Sequence, residues 1–299
     1  MSCLDLGAAT AAYNDAHTRV ALAGDGRLAI AQRQPGSKRW IQQGSLPPVD
    51  GLRLTALCWA PTELGGMIAA GATDGSVVLW QEAPGTGDMW RLLVTLREAT
   101  LAVQGLAFAP AELGPQLAVA YADGFVRFFQ ASSLLAPTTW ELHNLFRVGS
   151  GGAATSLSWR QPEPNLPPLL LVGTATAGAQ VWMYQERLMS WTQAATLGSL
   201  QDYEGLPVAD VAWAPAVGRP CDIAAVAAGP VVLLWEVQGV ADGPHYHQLA
   251  RLQHAASVWQ LEWHLLGSWL AVSTEKGEVC MWRPDLSGEW LMLSRIVGS

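Results

Sequence analysis

Two stretches of the chain share one pattern, LTALCWAPTELGGMIAAGATDGSVVLWQE at 54–82 and VQGLAFAPAELGPQLAVAYADGFVRFFQA at 103–131. Each begins with a short run that ends in an aromatic residue and an Ala-Pro turn. A run of small residues then ends at Asp-Gly, and an alternating run with an aromatic residue near its end follows. Asp74-Gly75 and Asp123-Gly124 are hairpin signals, because glycine tolerates a positive φ. The pattern therefore predicts antiparallel strands joined by tight turns.

Aromatic residues recur at a spacing close to 50 along the whole chain, which has 299 residues and 15 Trp. Four short strands in each unit of roughly 40–50 residues are typical of a propeller blade. Dividing the length by the period predicts six blades. The three aromatic ladders are Trp40, Trp90, Trp140 and Trp191; Trp59, Phe108, Trp159, Trp213 and Trp263; and Trp80, Phe129, Tyr184, Trp235 and Trp282.

We therefore predict an all-β fold, a six-bladed β-propeller that forms a single domain over residues 1–299. The first blade is the most weakly marked, because Ala31 stands where the third ladder would place an aromatic residue. The predicted blades cover approximately residues 10–34, 40–83, 89–132, 139–187, 190–239 and 245–285, with 289–296 as a closing outer strand.

The composition excludes several classes of protein. Half of the residues are hydrophobic and 14% are charged, so the chain is not intrinsically disordered. The net charge of −8 argues against direct nucleic-acid binding, which needs cations against phosphate. The most apolar stretch, 223–235, is too short to cross a bilayer, so we expect no transmembrane segment. We also expect no signal peptide, and the four dispersed cysteines indicate buried thiols in a reducing compartment.

The sequence predicts neither an enzyme nor a cofactor or metal site. His245 and His247 share one face of a predicted strand, but no third metal ligand is marked. Asp202 and Glu204 lie in a polar connector, where solvated carboxylates are more common than a general-acid pair. The glycines at 149–152 lack the lysine and the following helix of a phosphate-binding loop. We interpret these residues as parts of strands and connectors.

Several segments resemble one family closely. The stretch SVWQLEWHLLGSWLAVSTEKGEVCMWRPDLSGEWLMLSRIVG, 257–298, is similar to the last blade of the small six-bladed WD-repeat nucleoporins related to Sec-thirteen. The Ala-Pro-x-Glu-Leu-Gly turns resemble those of the family's second and third blades. His254 stands where the family has its structural histidine, but the hairpin that would supply its Asp partner has Lys276-Gly277. The resemblance covers roughly residues 10–298.

Two further segments favour the Sec-thirteen-homologue, or Seh, type of nucleoporin over Sec-thirteen itself. One is the long exit from the third blade, FFQASSLLAPTTWEL at 128–142. The other is the fifth blade, PAVGRPCDIAAVAAGPVVLLW at 215–235, whose inner hairpin lacks Asp-Gly. The resemblance implies a WD40-type propeller that is open between its first and last blades.

The same resemblance implies a scaffold role at the nuclear envelope. Proteins of this family are subunits of the Y-shaped outer-ring complex of the nuclear pore and support protein and mRNA transport. A helical-solenoid nucleoporin donates a further blade in trans, and other Y-complex subunits are also partners. An exposed sheet edge is a liability unless it is paired, and strand addition would satisfy its backbone groups.

The resemblance places the predicted docking site at the edges of the first and last blades, residues 10–34 and 257–298. The backbone matters more than side chains in strand addition, so individual residues are a secondary prediction. An alternative interpretation of Trp259 is packing between blades. The predicted partner-binding residues are Tyr13, Val20 and Leu22 in the first blade and Val258, Trp259 and Leu261 in the last blade.

Two other functions stay open at this point. The first is a coat subunit, either of the Sec-thirteen type in a vesicle coat or in the nutrient-signalling coat at the lysosome or vacuole surface. The second is an independent propeller that binds a peptide at the mouth of its channel. The hairpins at that level offer mainly Ala, Gly and Asp, which give a peptide little to bind. The stable partners of the protein would distinguish the three functions.

Overall fold

The computed structural model describes most of the chain as β-strands. The described residues are 10–24, 27–37, 39–47, 49, 51–83, 89–133, 138–149, 151–216, 218–219, 221–239 and 245–297. Within these ranges the helical elements are three single 3-10 turns, Thr62–Leu64, Ala111–Leu113 and Glu186–Leu188. The chain divides into two compact units, residues 1–145 and 146–299.

The first unit contains blades 1 and 2 and most of blade 3, whose last strand continues to residue 147. Blade 1 is built from β1 (Thr10–Tyr13), β2 (Arg19–Gly24), β3 (Arg27–Arg33) and β4 (Trp40–Ser45). Blade 2 is built from β5 (Leu54–Trp59), β6 (Met67–Ala72), β7 (Val77–Glu82) and β8 (Trp90–Leu96). Blade 3 is built from β9 (Val103–Phe108), β10 (Gln116–Tyr121), β11 (Phe125–Ala131) and β12 (Trp140–Arg147).

The second unit contains blades 4 to 6. Blade 4 is built from β13 (Ala154–Trp159), β14 (Leu169–Thr174), β15 (Ala179–Gln185) and β16 (Ser190–Leu197). Blade 5 is built from β17 (Val208–Trp213), β18 (Asp222–Ala228), β19 (Val231–Gln238) and β20 (His245–Gln253). Blade 6 is built from β21 (Val258–Trp263), β22 (Leu270–Thr274), β23 (Glu278–Pro284) and β24 (Trp290–Val297).

Every blade is a four-stranded sheet in which each strand lies beside its neighbours in sequence. The registered pairs are antiparallel, as the hairpin signals predicted. Asp74 and Asp123 cap their own turns, since their Oδ1 atoms accept hydrogen bonds from the N–H groups of Ser76 and Phe125 at 2.9 Å. The predicted all-β fold of six WD40-type propeller blades is confirmed.

The predicted blade limits differ from the sheets by one strand. The limits place the strand that begins at Trp40 at the start of the second blade, whereas this strand pairs with β3 as the last strand of blade 1. The strands that begin at Trp90 and Trp140 likewise close blades 2 and 3. The predicted limits are displaced because each of these strands folds back and pairs with the strand that precedes it in the chain. That residues 1–299 form a single domain stays a prediction.

Small residues and aromatics divide the packing between neighbouring blades. In the first unit, Ala21, Ala23 and Ile30 of blade 1 are buried in one cluster with Trp80 and Trp90 of blade 2. In the second unit, the cluster between blades 4 and 5 is larger. It combines aliphatic residues from both blades with the aromatic side chains Trp213, Trp235 and Tyr203.

The five outer strands whose register the structure describes share one irregularity. The register between the third and fourth strands of a blade shifts near the middle of the fourth strand in blades 1, 2, 4, 5 and 6. In blade 6 the shift leaves Leu293 without a partner residue on β23. Such a bulge bends an edge strand and disturbs its unpaired row of backbone groups.

Candidate partner-binding faces

Blade 1 has one face against blade 2 and one face turned away from it. Ala21 and Ala23 of β2 are buried against blade 2, and neighbouring residues of a strand alternate between faces. Val20 and Leu22 therefore lie on the opposite face. Tyr13 pairs with Val20 across the sheet and shares its face. We call this the terminal face of blade 1, formed by Ala11, Tyr13, Val20, Leu22, Ala29 and Ala31.

The structure thus brings together all three residues predicted in the first blade. Val20 is buried, Leu22 is half-buried and the side chain of Tyr13 is 47% exposed. The ring of Tyr13 stacks on His17 with centroids 5.8 Å apart and lies 5.9 Å from the ring of Trp40. The face is otherwise composed of small residues, and such a face lets another sheet approach closely. Binding of a partner by these residues stays a prediction.

Blade 1 is attached to blade 2 by polar contacts as well as by its core. The indole Nε1 of Trp59 donates a hydrogen bond of 2.8 Å to the carbonyl oxygen of Ala12 on β1. The Arg19 guanidinium pairs with the Glu82 carboxylate at 2.7 Å, with both side chains partly exposed. These contacts hold β1 at the side of blade 2.

In blade 6, two of the three predicted residues point towards blade 5. Val258 and Leu261 are buried in the cluster that Leu234 and Leu252 of blade 5 also form. A register shift between Val258 and Gln260 places both side chains on this face. Trp259 lies at the shift and is 52% exposed, so the structure does not pack it between blades. The predicted contacts of Val258, Trp259 and Leu261 with a partner stay a prediction.

The face of blade 6 turned away from blade 5 contains other residues. Leu270 and Trp282 pair across the sheet and pack towards blade 5, so the alternate residues Val279 and Met281 face the other way. Ile296 pairs with Val279, and Leu291 pairs with Arg283 on that side. We call this the terminal face of blade 6, formed by Ala271, Ser273, Val279, Met281, Leu291, Ile296 and the exposed Arg283.

The terminal face of blade 6 is apolar near its outer strand. Leu291 is 46% exposed and Ile296 is also exposed. The predicted docking edge, 257–298, includes both residues, but sequence reasoning named only Val258, Trp259 and Leu261 in it and treated 289–296 as a closing strand. The signal was present in WLMLSRIV, 290–297, which has one charged residue in eight on a strand at the edge of a blade. Exposed apolar patches of this kind mark interaction sites.

The residues considered for metal binding or catalysis serve local structure. His245 and His247 are both exposed, and His247 Nε2 lies 3.6 Å from Glu236 Oε2. Hydrogen bonds from the Ser199 backbone and hydroxyl lower the pKa of Asp202. Glu204 pairs with Arg251. Among the described residues, no group of three or more His, Cys, Asp or Glu could hold a metal ion.

His254 is buried but its ring lacks the partner that the family pattern implies. Neither Nδ1 nor Nε2 has a hydrogen-bond partner, and the ring lies edge-on to Trp282 with centroids 5.7 Å apart. Burial lowers the pKa of His254, while the nearby Glu278 carboxylate opposes that effect. Lys276 is exposed in the turn where an Asp was expected. Of the cysteines predicted to be buried, Cys280 is buried, whereas Cys58 and Cys221 are half-buried. Burial raises the pKa of all three thiols, to about 12 for Cys58.

Comparison with known proteins gives a match to one family model and several similar proteins. The model for the WD domain, G-beta repeat, matches residues 247–283. "Protein SEH1" from Arabidopsis thaliana is 26% identical over 312 residues, covering 97% of this chain and 95% of that protein. "Nucleoporin SEH1" from Homo sapiens is 27% identical, covering 78% of this chain and 69% of that protein. "Nucleoporin SEH1-A" from Xenopus laevis is 26% identical, covering 80% and 71%.

No helix in the described ranges combines the length and the apolar character needed to cross a membrane.

Proposed function

We propose that this chain, a WD-repeat protein of the SEH1 nucleoporin type, is a structural scaffold subunit of the nuclear pore outer-ring complex. In this proposal it binds a helical-solenoid nucleoporin, which donates a blade in trans. It acts at the nuclear envelope with other Y-complex subunits and supports nucleocytoplasmic transport. The proposal gives the chain no catalytic role.

The main support is the extent of similarity to the relatives. The similarity to the plant protein runs along 97% of this chain, so it includes blades 1 and 6 as well as the middle of the chain. A repeat fold alone does not define a function, because propellers serve many different functions. Similarity to proteins named SEH1 over 78–97% of this chain is more specific than the single repeat match at 247–283.

The terminal faces provide a second line of support. The terminal face of blade 6 carries exposed aliphatic side chains at Leu291 and Ile296. The terminal face of blade 1 carries the half-exposed Tyr13 ring beside small residues. Both faces have the chemistry that a donated β-sheet would cover.

The test is reconstitution of the full chain with its solenoid partner, recovered first by gentle affinity purification from source cells. The double variant Leu291→Asp, Ile296→Asp should weaken the complex at least tenfold, because two carboxylates would be buried against an apolar sheet. Met292→Asp is the matched control. Met292 is 44% exposed on the same strand, close to the 46% of Leu291, but it lies on the other face.

Blade 1 offers a similar pair of variants. Tyr13→Asp changes the terminal face, whereas Ile41→Asp changes an exposed residue on the opposite face of the same sheet. Equal affinity of all variants would overturn docking on the terminal faces. Recovery of vesicle-coat or nutrient-signalling subunits would move the protein to another complex, and recovery of no stable partner would overturn the scaffold role.

A further inference from the structure

A carboxylate lies in the joint between blades 5 and 6. Asp210 is on β17, and its Oδ2 accepts a hydrogen bond of 2.8 Å from the backbone N–H of Leu261 on β21. Its Oδ1 accepts a second bond of 2.9 Å from the N–H of Val211. The side chain therefore connects the first strand of one blade to the first strand of the next.

The joint between blades 4 and 5 has a comparable bond with a neutral acceptor. There the N–H of Trp213 on β17 donates to the hydroxyl oxygen of Ser158 on β13 at 3.0 Å. Both bonds join first strands of neighbouring blades in the same unit. They differ in that the serine hydroxyl stays neutral, whereas a carboxyl is neutral or negatively charged according to the pH and its pKa.

The side chain of Asp210 is half-buried, and the strands packed against it carry few other charges. The strands packed against β17 are β13, β14, β18 and β21. Their ionisable residues are Asp222, which pairs with Arg160 at 3.0 Å, and the exposed Glu262. In the pairing of β17 with β18, Asp210 lies opposite Ala227. Neither β13 nor β14 contains a charged residue within its bounds, so no cation on these strands compensates an ionised Asp210.

We propose that the joint between blades 5 and 6 responds to pH, and that ionisation of Asp210 weakens the attachment of β21 to blade 5. Burial raises the pKa of Asp210 from 3.8 to about 7, an effect that the two backbone hydrogen bonds oppose. The folded joint therefore favours the protonated carboxyl. The stability that this preference contributes is fully present below pH 3.8 and is lost as pH rises through 7.

The test is hydrogen exchange of two amides in the full chain, measured by NMR and corrected for the intrinsic pH dependence of exchange. The equilibrium constant for opening at the Leu261 amide should rise about fifty-fold between pH 5 and pH 7 and then level off. The reason is linkage, because the pKa of Asp210 falls from about 7 to its ordinary value of 3.8 when the joint opens. The Trp213 amide, bound to Ser158, is the internal control and should show no such rise.

Two variants isolate the carboxylate. Asp210→Asn keeps the size of the side chain and removes its charge, so the pH dependence at Leu261 should disappear. Asp210→Ser copies the acceptor of the neighbouring joint and provides a second test if the asparagine variant fails to fold. A flat profile for Leu261 in the natural protein, or an unchanged rise in either variant, would overturn the proposal.

Discussion

The joint between blades 4 and 5 and the joint between blades 1 and 2 are built from the same elements but with different side chains. In the first of these joints, Trp213 and Trp235 are buried in a large cluster, and the Arg160–Asp222 pair is buried. In the second, Ala21, Ala23, Leu28 and Ile30 of blade 1 form a smaller cluster with Trp80 and Trp90 of blade 2, and the Arg19–Glu82 pair is partly exposed.

This difference indicates that a blade can keep its four paired strands even where its packing against the neighbouring blade is weak. Apolar burial stabilises by about 25 cal/mol per Å², so the smaller cluster contributes less than the larger one. All four strands of blade 1 are present, and β1 to β4 pair in order. We therefore expect the joint between blades 4 and 5 to be the stronger of the two. The following predictions test this ordering.

The largest expected effect is that of Trp213→Ala. Trp213 is buried between blades 4 and 5, so its removal should lower the free energy of unfolding by about 3–5 kcal/mol. Trp59→Ala in the weaker joint should cost less, because Trp59 is only half-buried. Chemical denaturation of both variants measures the difference. Equal losses would contradict the ordering, and a Trp213→Ala midpoint unchanged from the natural protein would place Trp213 outside the core.

The ion pairs should differ in the same direction. Asp222→Ala leaves the buried Arg160 guanidinium without its partner and should cost about 3 kcal/mol, as is usual when one member of a buried pair is removed. Glu82→Ala, in a partly exposed pair, should cost about 1 kcal/mol or less. Urea denaturation curves give both values. A larger loss for Glu82→Ala would reverse our assignment of the stronger joint.

Hydrogen exchange tests the two joints without any substitution. Amides of β2 and β3 in blade 1 should exchange at least tenfold faster than those of β18 and β19 in blade 5, which corresponds to about 1.4 kcal/mol in local opening. Mass spectrometry of peptides from residues 10–34 and 208–235 is sufficient for this comparison. Equal protection would show that blade 1 is as firmly held as blade 5.

The smallest expected effect concerns the hairpin of blade 6. Asp74 and Asp123 cap the corresponding turns of blades 2 and 3, whereas blade 6 has Lys276. Lys276→Asp should therefore stabilise the protein by about 0.5–1 kcal/mol. Lys276→Ala is the control for loss of the lysine alone, and an equal gain in that variant would exclude capping.

The same substitution should change the pH dependence of stability. Because burial lowers the pKa of His254 from 6.5, the unfolded chain binds its proton more readily than the folded protein. The stability that depends on neutral His254 is present above pH 6.5 and is lost as pH falls below it. A carboxylate at position 276 should raise the pKa of His254 and reduce this loss, which histidine NMR titration would detect.

The repeats could be predicted from the sequence because each signal depends on residues that are close together in the chain. Asp-Gly turns, alternation and the aromatic ladders predicted the strands and the blade count. The limits of the blades could not be predicted from these local signals. The ladder that begins at Trp40 has a regular spacing, but spacing does not reveal whether a strand pairs with the one before it or the one after it. The pairing of Trp40 with Arg33 supplies that information.

The residues of the candidate site also differ in how well the sequence predicts their position. Tyr13, Val20 and Leu22 lie on one face of blade 1 because β1 and β2 pair without irregularity. Val258 and Leu261 were expected at an accessible edge but lie in the core, because a register shift interrupts the alternation that would otherwise reveal the face. A shift of one residue moves every later side chain to the other side of the sheet. Hydrophobic pattern alone does not locate such a shift.

The bulges of the outer strands have a consequence for newly made copies of the chain, which meet one another in a crowded solution. Regular outer strands would allow those copies to pair edge to edge, as in fibrils. A displaced residue such as Leu293 interrupts the continuous row of hydrogen bonds that such pairing requires. The irregularity that weakens a sheet locally should therefore disfavour pairing between copies.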